Sequence, residues 1–325
     1  MKLRVAVLYG GRTGEHEVSV RSARAILNAL DPEKFERIEY FIDQQGKWLP
    51  HPILPEPGAH PDIDVVFPVL HGTFGEDGTM QGLLELADLP YVGAGVLASS
   101  VSMDKEMMKR VCKERMLPVV DYLVAARGQA NVDEICARLP FPMFVKPANL
   151  GSSVGISKAH NRQELETGLA FAEQYDRKII VERGIEGREL ECAVLGNEAP
   201  VASLPCEILP SREFYDYDDK YLLDRAQTRL PADLPADRTE ELRRLAVECY
   251  RAVECEGMGR VDFLLESATD KLFINEINTI PGFTSISMFP KMWEHSGIPF
   301  GALIEQLIEL ALDRHKRKKS TRFTR

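Results

Sequence analysis

The chain has 325 residues, more than one ordinary domain needs, so two or three packed domains are expected. Its formal net charge of −10 argues against general binding of nucleic acid, which depends on clustered lysines and arginines neutralising phosphates. The cysteines (Cys112, Cys136, Cys192, Cys206, Cys249, Cys255) include no C-x-x-C pair, and neither a signal peptide nor a long apolar span is evident; the expectation is a reduced, cytoplasmic protein with buried free thiols and no membrane contact.

Leu3 to Tyr9 reads as a strand, Gly10-Gly11 as a turn, and Val18 to Leu30 as a helix stopped by Asp31-Pro32. A second buried strand, Asp64 to Leu70, runs into the glycine-rich loop His71 to Gly78, and a helix follows over about 79–87. Loops beyond the carboxyl ends of parallel strands are where open α/β sheets bind ligands, so Glu15 and His71 are expected at one crevice. The G-x-G-x-x-G spacing of a dinucleotide site is missing, and His71 taken alone is equally a neutral imidazole satisfied in the core.

The middle segment starts with a helix over Lys105 to Glu114 and continues through a short apolar strand, Pro142 to Pro147, that ends beside Lys146. After it, Gly151-Ser152-Ser153-Val154-Gly155 is either a flexible loop or a cradle whose amides approach phosphate oxygens. No G-x-x-x-x-G-K-[ST] occurs, which disfavours P-loop hydrolysis. The neighbouring Lys146 and the strand Lys178 to Glu182 tilt the segment toward nucleotide binding, and Glu189 is a carboxylate placed for ribose hydroxyls or for solvent.

Near the carboxyl end, Val261 to Leu265 and Leu272 to Ile274 are apolar runs joined by a polar turn, a hairpin that brings Asp262 near Glu276 and Asn278. A strand's period of two puts Glu276 and Asn278 on one face, and Arg260 with Asp262 on one face. Such hard oxygen donors suit Mg²⁺ held against nucleotide phosphates, although spacing alone leaves a solvated hairpin equally open. The closing basic run, His315 to Arg325, reads as a frayed, solvated end.

Five blocks in order give the whole chain a resemblance to the D-alanine–D-alanine ligases of the ATP-grasp superfamily. They are Gly10 to Ser19; His71-Gly72 with Gly75 to Gly78; Lys146-Pro147 with Gly151 to Gly155; Phe214 to Tyr221; and Gly259 to Asp262 with Asn275 to Ser287. The resemblance implies an α/β, ATP-grasp fold of three α/β domains, the first a parallel-sheet, pre-ATP-grasp domain. Its boundaries are 1–102 (amino-terminal substrate domain), 103–189 and 190–313 (the central and carboxyl-terminal ATP-grasp subdomains), with a basic tail at 314–325.

By the same resemblance, Lys105 and Lys146 would contact ATP phosphates, with Ser152, Ser153, Lys220 and Asn275 also on the nucleotide. Glu182, Ile185 and Glu189 would bind adenine and ribose, and Phe214 would pack on the base. Asp262, Glu276 and Asn278 would hold two Mg²⁺ or Mn²⁺ ions. Glu15 would take the first D-alanine's ammonium with Val18 and His71 nearby, while Ser287 and Met288 would lie by the second D-alanine. Glu15, Ser152 and Tyr221 resemble the family's set that closes the site, and Arg260 and the Gly282 amide would face the oxyanion of the tetrahedral intermediate. Gly184-Ile185 offers no aromatic beside the adenine, where some members carry one. A homodimer through the first domain is implied, with D-alanine and ATP as the small-molecule partners. Lys220-Tyr221 favours dipeptide over D-alanine–D-lactate formation; another ATP-grasp ligase would lack Glu15, Ser152 and Tyr221, and a dead ATP-binding regulator would lack Arg260 or a metal ligand.

Overall fold

The computed structural model describes residues 2–151, 154–209, 227–284 and 286–322. Among them, strands and helices alternate at the amino end: β1 (Leu3–Gly10), α1 (His16–Ala29), β2 (Phe35–Ile42), β3 (Trp48–Leu49), β4 (Val65–Pro68), α2 (Thr79–Leu86) and α3 (Val96–Met103). β1 pairs in parallel with β2 and β4, whereas the edge strand β3 pairs antiparallel with β2, so the expected parallel sheet is mixed at one edge. α1 starts two residues before the expected Val18, because the turn after β1 closes at Glu15.

Next come α4 (Lys105–Glu114), β5 (Tyr122–Ala126), α5 (Val132–Arg138), β6 (Met143–Pro147), β7 (Ser157–Ala159), α6 (Arg162–Ala172) and β8 (Lys178–Arg183), whose strands form an antiparallel sheet in the order β5-β8-β6-β7. Asp104 caps α4 by accepting from the Met107 amide, which sets the helix start at Lys105. A third sheet, also antiparallel, is built from β9 (Gly187–Leu195), β10 (Val201–Ala202), β11 (Cys206–Leu209), β12 (Gln227–Arg229), β13 (Met258–Glu266) and β14 (Leu272–Asn278). α7 (Ala236–Ala252) lies between β12 and β13 in the chain, and α8 (Met288–His295) and α9 (Phe300–Lys319) close it.

One core joins the first and third sheets, while the middle sheet keeps a core of its own with α5 and α6. Val5, Val7 and Phe67 of the first sheet share one apolar cluster with Ala193 and Met258 of the third and with Leu303, Ile304, Leu307 and Ile308 of α9. That periodicity on α9 buries one face, and each such side chain contributes about 1.5–3 kcal/mol by leaving water. A second cluster packs Met108 and Cys112 of α4 and Leu245 and Cys249 of α7 on β9, β13 and β14. The first and third sheets are thereby fixed across the gap where the site forms.

The cysteines are all unpaired, and all but the half-buried Cys136 are buried, as the sequence suggests. The basic run departs from expectation: α9 extends through Lys319, Arg314 donates to the carbonyl oxygens of Tyr91 and Gly93, and Lys318 and Lys319 pair with Glu85 and Asp88. Acidic residues distant in sequence neutralise it and hold the helix down. Among the described residues no helix is long and apolar enough to cross a membrane.

Candidate active site

The carboxyl ends of β1 and β4 are neighbours, so the loops leaving them meet. Thr13 Oγ1 donates to the His71 carbonyl at 2.9 Å and ties the two loops together. Glu15, at the amino end of α1, lies so close to Gly72 that a Cβ there would stand 2.7 Å from Glu15 Oε2; Gly72 also holds φ at +74°, which glycine adopts without strain. Gly151 of the central segment approaches the same oxygen, with its Cβ position 3.6 Å away. Glu15 therefore stands where the amino-terminal and central parts converge.

Around it is a cavity of about 250 Å³. Its wall includes Glu15, Val18 and His71 from the first part, Lys105 and Gly151 from the second, and Arg260, Glu276, Asn278, Gly282, Ser287 and Met288 from the third. Every residue assigned by resemblance to the amino acids is present in that wall. Ser287 precedes α8, so its backbone sits at a helix amino end, a favourable position for a carboxylate. Gly282 permits the approach of Ser287, whose Oγ would be 2.7 Å from a Cβ at 282.

His71 is buried, and its Nδ1 lies 3.1 Å from the Ile280 carbonyl. A carbonyl only accepts, so Nδ1 carries the proton, and Nε2 has no hydrogen-bond partner among the described residues. Burial pulls the imidazole below its ordinary range, partly opposed by Glu15, and leaves a neutral ring with an acceptor nitrogen. Glu76 accepts from the Gly72 amide at 2.7 Å; burial and the nearby Glu15 push its carboxyl up to about 8, so it is protonated at neutral pH. Sequence reasoning gave Glu76 no role, although it sits in the quoted Gly75-Glu76-Asp77-Gly78 block.

A second corner lies beside this cavity. Lys146 on β6 and Glu182 on β8 share a sheet face, with Nζ to Oε2 at 2.6 Å, and Lys146 also reaches Asn275 Oδ1 at 3.4 Å. Lys109, fully buried on α4, lies 2.8 Å from Glu182 Oε1. Burial works against the Glu182 carboxylate, but the two ammonium groups overcome it and hold the carboxyl at about 2. Burial likewise opposes the Lys146 cation, yet Glu182, Glu276 and Glu189 raise it above its usual range. The Glu182 carboxylate is thus already held by lysines, while Glu189 bears on the same corner from β9 and Ile185 is half-buried in the link between β8 and β9. Lys146, Glu182, Ile185, Glu189 and Asn275 do not line that cavity; Glu276 connects the two regions.

The hairpin forms as expected, with Asp262 opposite Glu276 and Arg260 opposite Asn278. A bulge after Asp262 skips Asn275 and breaks the simple alternation, so Asn275 meets Lys146 while the adjacent Glu276 lies 3.7 Å from Lys105. Arg260 forks onto Asp262 at 2.7 and 2.6 Å and lies 3.4 Å from Glu191, which stands in register with Asp262 on β9. Burial opposes the guanidinium charge, but Asp262 and Glu191 raise Arg260 well above its ordinary range. Glu191 escaped sequence reasoning; its signal was the alternation with Glu189 on β9.

Asp262, Glu276 and Asn278 offer hard oxygen donors of the kind that suits Mg²⁺ or Mn²⁺. The Asp262 oxygens already accept from Arg260 and Asn278, and among the described residues no three His, Cys, Asp or Glu side chains gather as a metal group. The set fits an ion whose remaining positions are filled by phosphates and water. Ser152, Ser153, Phe214, Lys220 and Tyr221 lie outside the described residues.

The amino-terminal family model for "D-ala D-ala ligase" matches residues 4–59 and 54–94, and the carboxyl-terminal one residues 111–309. The chain is similar to the D-alanine–D-alanine ligase of Solibacter usitatus, 79% identical over 325 residues and the whole of both chains. That of a Thermoanaerobacter species is 47% identical over 98% of each chain. Among solved structures, the D-alanine–D-alanine ligase from Coxiella burnetii superposes with a TM-score of 0.88 at 40% identity, covering 98% of this chain and 96% of the other. The VanG D-Ala:D-Ser ligase from Enterococcus faecalis gives 0.87 at 33% identity, covering 96% and 100%.

Proposed function

The chain belongs to the D-alanine–D-alanine ligase family, and on that premise we propose that it joins two D-alanine molecules to D-alanyl-D-alanine with conversion of ATP to ADP and phosphate, in the cytoplasm and for cell-wall precursor synthesis. The observation that carries this reading is the single cavity uniting Glu15, His71, Arg260, Gly282 and Ser287, with the Lys146 corner beside it.

A free carboxylate is a poor electrophile and needs a leaving group. The first D-alanine, its ammonium against Glu15, presents a carboxylate oxygen to the γ-phosphate of ATP; that bond forms as the bond to ADP breaks, and D-alanyl phosphate results. Lys105 and Lys146 offset the charge that repels the attacking oxyanion. His71 Nε2 is placed to accept a hydrogen bond from an ammonium. The second D-alanine, its carboxylate at Ser287 and the amino end of α8, attacks the activated carbonyl through its neutral amine; the C–N bond forms, the C–O bond to phosphate breaks, and the amine's proton leaves with the phosphate. Arg260 is permanently charged, and with the Gly282 amide it stabilises the tetrahedral oxyanion. Divalent metal held by Asp262, Glu276 and Asn278 would supply charge neutralisation at the ATP phosphates. Ser152, Tyr221 and Lys220 are assigned to closure and Ser153 and Phe214 to the nucleotide by family likeness. The domains proposed are 1–102, 103–189 and 190–313 with a basic tail at 314–325, and the assembly proposed is a homodimer through the first domain.

The test is phosphate release from ATP and Mg²⁺ with D-alanine, L-alanine, or D-alanine plus D-serine or D-lactate, products identified by mass spectrometry. D-alanyl-D-alanine from D-alanine alone is the expected result. A mixed product dominating the D-serine or D-lactate reaction would move the assignment to the second substrate, and ATP binding without any product would remove it.

A further inference from the structure

The bulged residue Asn275 and its neighbour Glu276 are met by three lysines, of which the proposed mechanism uses two. Lys105 reaches Glu276, Lys146 reaches the Asn275 side chain, and Lys109 reaches the Asn275 carbonyl at 3.3 Å. Lys105 and Lys109 are four residues apart on α4, hence on one face, and that face serves both regions of the site. Lys109 is the side chain without a task. It is fully buried, and its partners are those of Lys146: the Glu182 carboxylate, taken by one oxygen each, and Asn275.

We propose that Lys109 is a positioning residue for Lys146, sharing its counter-charge so that Lys146 keeps a net positive charge and a fixed place for an ATP phosphate. The inference rests on the reading that Lys146 contacts the nucleotide. Two ammonium groups around Glu182 leave Lys146 only a share of that carboxylate, while Glu189 and Glu276 also bear on it. With Lys109 neutral, Glu182 would turn wholly to Lys146, and the approaching polyphosphate would meet an ion pair already satisfied. A fully buried lysine is also hard to explain as a stabiliser, because well-packed apolar residues usually serve a core as well or better. The Nζ to Oε1 contact, at 2.8 Å, is a close ion pair.

Lys109→Gln keeps a donor for Glu182 but not the charge. The expected result is a rise of about tenfold or more in the KM for ATP with the KM for D-alanine unchanged, and Lys109→Arg, which keeps the charge in a different shape, falls between the two. A purely structural lysine would lower the melting temperature and leave both KM values in place, which overturns the proposal. If Lys109→Gln does not fold, the uncharged Lys109→Met decides in its place, since an ATP KM equal to wild type overturns the proposal as well. Lys146→Met separates the two levels of inference. If it binds ATP as wild type does, the nucleotide assignment itself fails and this one falls with it; if it binds ATP weakly while Lys109→Gln does not, only the role of Lys109 is rejected.

Discussion

The amino-acid cavity and the lysine corner beside it are both rich in charge, yet they hold it in opposite ways. In the corner, Lys109 and Lys146 share the one Glu182 carboxylate, an oxygen each. In the cavity, Glu76 sits so near Glu15 in a buried place that its carboxyl rises to about 8, and His71 Nε2 has no partner among the described residues. A cavity with an open acceptor is completed by what binds there, and a D-amino acid brings one ammonium and one carboxylate. A corner with a shared carboxylate instead exchanges partners, which suits a polyanion that competes with Glu182 for the lysines.

The contrast is broken most severely at Arg260, which belongs to the cavity wall but is paired like the corner. Arg260→Ala is expected to cut dipeptide synthesis by about 10²–10³-fold while ATP still binds, and to destabilise the fold by about 3–5 kcal/mol because Asp262 and Glu191 lose their cation. Turnover together with calorimetric ATP binding checks both parts; unchanged turnover would contradict the oxyanion role. Gly282→Ala comes next, since its Cβ would stand 2.7 Å from Ser287 Oγ. A clash costing about 1–3 kcal/mol corresponds to roughly 5- to 160-fold in the KM for D-alanine, with the KM for ATP unmoved.

The protonated Glu76 gives a pH signature. Its carboxyl in the folded chain lies at about 8, above the ordinary 4.5, so the folded state keeps a proton that the unfolded state releases. The stabilisation is complete below the unfolded value and is lost as pH rises through the folded one, at most about 1.4 kcal/mol per pH unit between them. Glu76→Gln should flatten that slope, and melting temperatures of both proteins from pH 5 to 9 test it; parallel curves would reject the shift. The smallest effect is expected at His71→Asn, about tenfold in kcat/KM for D-alanine, because it removes one neutral acceptor and no charge.

Much of this was legible in the chain. The hairpin, the two rim loops and the helix at Lys105 follow from apolar runs and glycine turns, which are local signals. What stayed hidden depends on contacts between distant segments. The bulge at Asn275 shifts one residue relative to β13, and no count of period two along β14 alone reveals it. Lys109 carries no signal in the sequence because Glu182 and Asn275 arrive from other sheets, and Glu191 gains its place beside Asp262 when β9 pairs with β13. The basic run at the carboxyl end looked frayed for the same reason, since Glu85 and Asp88 lie far away in sequence.

The central claim is that the cavity activates one amino-acid carboxylate by phosphoryl transfer before the second amine attacks. D-alanine labelled with ¹⁸O in its carboxylate, incubated with the enzyme, ATP and Mg²⁺, should give inorganic phosphate carrying one ¹⁸O for each dipeptide formed. Dipeptide accompanied by phosphate free of the label would contradict the account.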